Sequence, residues 1–366
     1  MCTPTPANRH GVDYAHVAEA LGPPPTQIID AHSHLHGPEA VRIYKNVMEL
    51  FGVEEVWSMT HLEHIPEIQA VLGSRFRPIA VPDFRNPDFR SSMGKGYRER
   101  LPAFKAHGAQ LAKFWCAPRA ADYASDIGDP ACMRLDSPMR RDAIQCALDL
   151  GMGIMVHVAD PDSWFRVKYT DTERYGTKLQ QYEPLETILA EIAPVPLLAA
   201  HMGGWPEDLN FLTGLLTRHE NLVLDTSAAK WMIRELSLHS TETIQSFFRA
   251  FRGRLLFGTD NVTMDDHLGK AVAQGRHASM TQKSASPTEA FDLYASRYAA
   301  LRTLFETNQQ TESPIADPDL EMEHPESYGP LDAPILSGKS IPIEDLCVLY
   351  RDAASSLSAA LCEGGS

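Results

Sequence analysis

Several positions in this 366-residue chain combine residue types and spacing that suit a metal ion. In Asp30-Ala31-His32-Ser33-His34, two imidazoles stand two residues apart and share one face of an extended strand. Neutral imidazoles so placed suit a borderline divalent metal such as zinc. Three single residues each close a mostly apolar run: His157 after Gly153-Ile154-Met155-Val156, His201 after Pro196-Leu197-Leu198-Ala199-Ala200, and Asp260 after Leu255-Leu256-Phe257-Gly258-Thr259. A lone histidine more often packs than ligates. An H-x-H pair, two histidines and an aspartate at equivalent strand ends point together to one metal site.

The elements that must carry them alternate. Candidate strands are Gln27–His32, Glu54–Thr60, Phe76–Pro82, Gln110–Trp115, Gly153–Val158, Pro196–His201, Asn221–Thr226 and Arg254–Gly258. Helical periodicity fills the intervals, as in Glu39–Leu50, Ser137–Leu150, Pro184–Ile192, Glu207–Arg218 and Thr241–Phe251. Asp136-Ser137-Pro138 reads as a helix start, and Gly52, Gly151 and Gly253 sit where helices stop. Eight strands alternating with helices predict an α/β (β/α)8 TIM barrel. A plain barrel needs about 250 residues, so the surplus divides into three parts. These are an arm over 1–26 ending in Gly22-Pro23-Pro24-Pro25, insertions after strands 5 and 8 (Asp160–Glu183 and Asn261–Pro287), and a C-terminal helical extension over 307–366, with the barrel over 27–306. Within that extension, Thr311–Lys339 is polar and proline-rich, and Ile341–Leu361 reads as a final helix.

Composition narrows the function classes. Hydrophobic residues at 43% and charged residues at 22% are globular values. A formal charge of −15 repels phosphate backbones and anionic lipid surfaces, which argues against nucleic-acid and membrane partners. No apolar run reaches the ~20 residues of a membrane helix, and Met1–Pro6 has no signal-peptide pattern. Six cysteines without C-x-x-C pairing fit a reduced, cytoplasmic compartment. The expected partner is a small-molecule substrate, with a homodimer as the envisaged assembly.

The chain resembles the amidohydrolase superfamily, in its amidohydrolase-related branch with aminocarboxymuconate-semialdehyde decarboxylase and its relatives. The resemblance is carried by Asp30-Ala31-His32-Ser33-His34, Val156-His157, Ala200-His201-Met202-Gly203-Gly204, Trp205-Pro206-Glu207-Asp208-Leu209 and Leu256-Phe257-Gly258-Thr259-Asp260, and covers residues 27–260 and the final helix. It implies a metal-dependent barrel enzyme with His32, His34, His157 and Asp260 as ligands to one divalent ion. Zinc is the default, and manganese or iron(II) also suit the ligands. His201 is then a catalytic histidine that hydrogen-bonds an oxyanion or shuttles a proton, or a ligand if a second metal is bound, and Asp260 doubles as a proton relay. A metal so held activates water for hydrolysis of a C–N, C–O or lactone bond. The alternative is non-oxidative decarboxylation of a small aromatic or unsaturated acid at the same ligands. A catalytically dead scaffold is disfavoured because no ligand is missing. Asp352 departs from the asparagine that many relatives carry.

Lys113, on the fourth strand, stands where some superfamily members carry a carbamylated lysine bridging two metals. The preferred reading is an unmodified lysine paired with a carboxylate near the barrel mouth, and a mononuclear site. Arg166 and Lys168 in the first insertion can steer an anionic substrate. Lys230, Trp231 and Arg297 are candidates to line the pocket. His61 and His64 read as surface histidines, Gly94-Lys95-Gly96 lacks the full phosphate-loop pattern, and no G-x-S-x-G elbow is present.

Overall fold

A computed structural model describes residues 4–129, 131–269 and 283–363. Nine short strands matter to the site: β1 (Ile28–Leu35), β2 (Val53–Met59), β3 (Phe76–Ile79), β4 (Leu111–Trp115), β5 (Gly153–His157), β6 (Leu197–Ala199), β7 (Leu222–Asp225), β8 (Leu255–Leu256) and β9 (Asn261–Thr263). Two parallel sheets, β3-β2-β1-β9 and β4-β5-β6-β7-β8, share two seams. At the first, Ala80 bridges Ala112, with Lys113 N–H donating to the Ala80 carbonyl at 2.8 Å. At the second, Ala31 N–H donates to Phe257 O and Asp260 N–H to His32 O, both at 2.9 Å. β9 follows β8 after the four residues Phe257–Asp260 and pairs with the end of β1. The sheets therefore close into one eight-stranded parallel barrel, the fold expected from the alternation.

The strands are buried on both faces, which explains their near-continuous apolar runs. Outer helices bury one stripe each. Pro38–Phe51 buries Ala40, Val41, Tyr44, Val47, Met48 and Phe51, the spacing of one helical face, and stops at Gly52 in the left-handed conformation. Pro138–Asp149 starts where Ser137 accepts from Arg140 N–H. Expected and observed boundaries differ by up to three residues: β1 runs on through Leu35, β3 stops at Ile79, β6 keeps only Leu197–Ala199 and β8 only Leu255–Leu256.

The surplus segments have structure. The arm forms the helix Tyr14–Leu21, capped by Asp13. After β5, short helices run over Asp162–Val167 and Thr172–Tyr175. The insertion after strand 8 is described at Asn261–Gly269 and from Lys283; residues 270–282 lie outside the described residues. In the extension, Gln310–Glu312 pairs antiparallel with Ile335–Ser337. The final helix is not one regular piece: Ile343–Cys347 passes through a π-helical turn at Val348–Asp352 into Ala353–Glu363. That turn fills a gap in the barrel wall. Phe257 N–H, which has no β1 partner, donates to Leu349 O at 3.0 Å. Asp352 is exposed. No described helix is long and apolar enough to cross a membrane.

Candidate metal centre

The β1–β2 register shifts between Asp30 and Ser33, a bulge beneath the two histidines. His32 is fully buried, and the His34 side chain keeps 33% of its exposure, so the pair runs from the barrel interior to its mouth. Opposite them, β8 ends at Gly258-Thr259, and Asp260 takes a left-handed backbone (φ 59°). Its carboxylate Oδ1 lies 3.2 Å from His34 Nε2 and 3.5 Å from His32 Nε2. Gly258 allows this approach, since a Cβ there would fall 2.9 Å from the His32 Cβ. Ligand atoms of His32, His34 and Asp260 all lie within 4.8 Å of one another.

A carboxylate the sequence reading missed organises this group. Asp225 closes β7, fully buried. Its Oδ2 accepts from His32 Nδ1 at 2.8 Å, and its Oδ1 accepts from the backbone N–H of His201 (2.9 Å) and Ser227 (3.0 Å) and from the Ser227 hydroxyl. Burial opposes ionisation, but His32, His201 and Ser227 together hold the Asp225 carboxyl below the usual carboxylate range. Burial likewise lowers His32, keeping it neutral. With its Nδ1 proton on Asp225, His32 presents a bare Nε2, which is buried and has no hydrogen-bond partner. An anchored imidazole with an orphaned lone pair beside a carboxylate is what a metal ligand requires. The residues present therefore fit a divalent ion.

Ser227 Oγ also touches His201 Nδ1, at 2.8 Å. Its one proton goes to Asp225, so His201 Nδ1 donates to Ser227 and Nε2 carries the lone pair. Burial, then the neighbouring His157 and His32, hold His201 neutral. Its ring centroid is 4.9 Å from that of His32 and 4.6 Å from that of His157. Ligand atoms of His32, His201 and Asp225 form a second group of the same compactness.

The other candidates are placed as follows. His157 ends β5 beside His201, but its Nε2 contacts Asp160 at 3.1 Å, and it lies outside both compact groups. Asp260 is held well below its ordinary value; burial opposes this, and the His34 hydrogen bond and the surrounding imidazoles outweigh it. Lys113 corrects the expected carboxylate pairing: its Nζ is buried and has no hydrogen-bond partner. Burial pushes that amine down to about 8, against the pull of Asp225 and Asp260. Arg166 turns away and pairs with Glu323 of the extension, whereas Lys168 lies 3.3 Å over the Trp164 ring. Trp231 sits 6.3 Å from the His201 ring and donates to Glu207 at 3.0 Å. Lys230 lies in the first turn of the helix Ala229–Leu238 that follows β7, and Arg297, on the helix Pro287–Glu306, donates to Leu293 O and Ser296 Oγ. Burial, then the charges of Lys230 and Arg297, push the Lys283 amine, which sequence reasoning missed, down to about 7. His61 and His64 are half-buried rather than superficial, and His61 stacks 4.9 Å from His36. The sequence signal for Asp225 was available: it closes Leu222-Val223-Leu224 as Asp260 closes the eighth run.

No family model matches the chain, and no curated protein matches it. Among solved structures, a probable 2-pyrone-4,6-dicarboxylic acid hydrolase from Acinetobacter baumannii is 12% identical, with a TM-score of 0.45 over 91% of this chain and 100% of that one. A 2,6-dihydroxybenzoate decarboxylase is 13% identical, with a TM-score of 0.47 over 91% and 99%. A dihydroxybenzoic acid decarboxylase from Polaromonas with bound manganese is 13% identical, with a TM-score of 0.40 over 75% and 97%.

Proposed function

We propose that this chain is a metal-dependent hydrolase of amidohydrolase type, acting on a C–N, C–O or lactone bond of a small molecule. The observation that carries this reading is the buried, unpartnered Nε2 of His32, fixed through Asp225 and facing His34 and Asp260. His32, His34 and Asp260 would hold one divalent ion, with zinc the first choice for imidazole ligands, and His157 joins them if its ring leaves Asp160. When bound, that ion supplies Lewis acidity toward a carbonyl oxygen and toward water.

The chain's own groups supply the proton chemistry. Asp260, ionised and at the mouth, takes a proton from the attacking water and returns it to the leaving group. His201, neutral with Nδ1 engaged by Ser227, offers Nε2 to the substrate as proton acceptor. Strand-end placement holds both without loop rearrangement.

One observation favours the second reading, decarboxylation. Lys113 is a buried amine without a partner, near Asp260, with its proton affinity lowered to about 8. It is suited to protonating the carbon that loses carbon dioxide. Elemental analysis, followed by a panel of lactones, amides, esters and carboxylic acids scored for acid release and for carbon dioxide, tests both. About one metal per chain with acid release is expected. A metal-free protein with full turnover would overturn the proposal.

A further inference from the structure

The alternation of His32 and His34 runs one step further, to His36 just past β1, and the metal centre leaves that third imidazole unused. Thr263 of β9 fixes its backbone: the His36 N–H donates to Thr263 O (3.2 Å) and Oγ1 (3.0 Å), and the His36 carbonyl accepts from Thr263 Oγ1 at 2.9 Å. Thr60, just past β2, donates to Leu35 O at 2.9 Å and ties the ends of the first two strands together. His61 is thereby held beside His36, with ring centroids 4.9 Å apart and planes tilted by 31°. The short turn Leu62–His64 then brings His64 edge-on to His61, at 5.8 Å between centroids. The Nδ1 atoms of His36 and His61 are both buried and have no hydrogen-bond partner. Burial, then the Arg85 charge, lowers His61 to about 4, so that ring is neutral.

A buried polar atom left without a partner costs about 1–3 kcal/mol, and here two such atoms sit on adjacent rings. Packing alone does not account for them, since apolar rings would fill the same space without that cost. Imidazoles with no carboxylate among them suit zinc or copper(II), not magnesium or calcium. His64 is turned aside: its Nε2 accepts from Arg85 Nη1 at 3.4 Å. With His64 so engaged, the three rings do not make a compact group of the kind formed by His32, His34 and Asp260. Arg85 also meets Glu63 at 3.1 Å and Asp83 at 3.4 Å, so it keeps two carboxylates when it gives up the imidazole. We infer that His36, His61 and His64 form a second metal site, of zinc or copper(II) class, at the rim of the barrel mouth. It is weaker than the first, because it has no carboxylate and His64 must leave Arg85 to complete it. The site is separate from the reaction assigned to His32, His34 and Asp260 and does not depend on it.

The test is calorimetric titration of the full, chelator-stripped chain with zinc alone. The unaltered protein should take up about two ions in two affinity classes, the weaker lost when free metal is removed. A His36→Gln/His61→Gln double variant should lose the weaker ion and keep the tighter one. Copper(II) should fill the weaker site, whereas magnesium and calcium should not. If the double variant does not fold, chemical modification of the unaltered chain decides. The second equivalent of zinc, and not the first, should then protect His61 and His64 from diethyl pyrocarbonate, read by peptide mass. An ion count that the double substitution leaves unchanged, equal uptake of magnesium, or His61 and His64 unprotected by the second equivalent would each overturn the assignment. A single class of ion that the double substitution abolishes would overturn only the reading of the His32 centre.

Discussion

Asp225 and His32 meet at 2.8 Å across the barrel interior, between the seventh strand and the first, with both side chains out of solvent. The contact sets which imidazole nitrogen carries the proton and therefore which one is left to ligate. Asp225→Asn keeps the shape but offers an amide for the carboxylate. Metal affinity, read by competition with a chromophoric chelator, should fall by about 10–100-fold, as for other carboxylate–histidine–metal pairs. Unchanged affinity would reduce Asp225 to a packing residue.

Asp260→Asn keeps an oxygen at the mouth and removes the charge and the proton acceptor. Turnover should drop by at least ~10², with metal content falling less steeply. Near-normal turnover in the metal-loaded variant would remove the proton relay from Asp260.

Lys113 costs stability. Unfolded, its amine titrates near 10.5, and folded near 8, so between those values the unfolded chain binds more protons and stability rises with pH. Below pH 8 the whole cost of burying the ammonium is present, about 3 kcal/mol at most. Lys113→Met in the metal-free protein should therefore raise unfolding free energy at pH 7 by about 1–3 kcal/mol, and by less at pH 10. Urea denaturation at both values decides it. A destabilised variant at pH 7 would show that Lys113 is paired in solution.

The barrel and its strand-end residues were legible because β4 to β8 are buried on both faces, so apolar runs stop where side chains reach the mouth. Asp260 follows from that rule, whereas His32 and His34 are announced by their two-residue spacing on one face of β1. Asp225 obeys it too, yet followed by Thr226-Ser227 it reads as the start of a turn. Lys283 was hidden because it lies in an insertion with no periodicity to place it. The Lys113 pairing was misjudged because a sequence gives no count of carboxylates within reach of a strand lysine. The left-handed backbones at His201 and Asp260 (φ 58° and 59°) carry no glycine or asparagine to announce them. Such conformations cost about 1–3 kcal/mol each and persist where surrounding contacts impose them.

The Phe257–Leu349 hydrogen bond links the timing of synthesis to the completion of the centre. Leu349 leaves the ribosome on the order of ten seconds after Phe257, at ~5–20 residues per second. During that interval the eighth strand has an unfilled slot on the side that faces the first strand. Asp260, three residues further along, is held to His32 by that same pairing of edges. The nascent chain therefore gains its ligand-bearing strands early and its means of holding them together late.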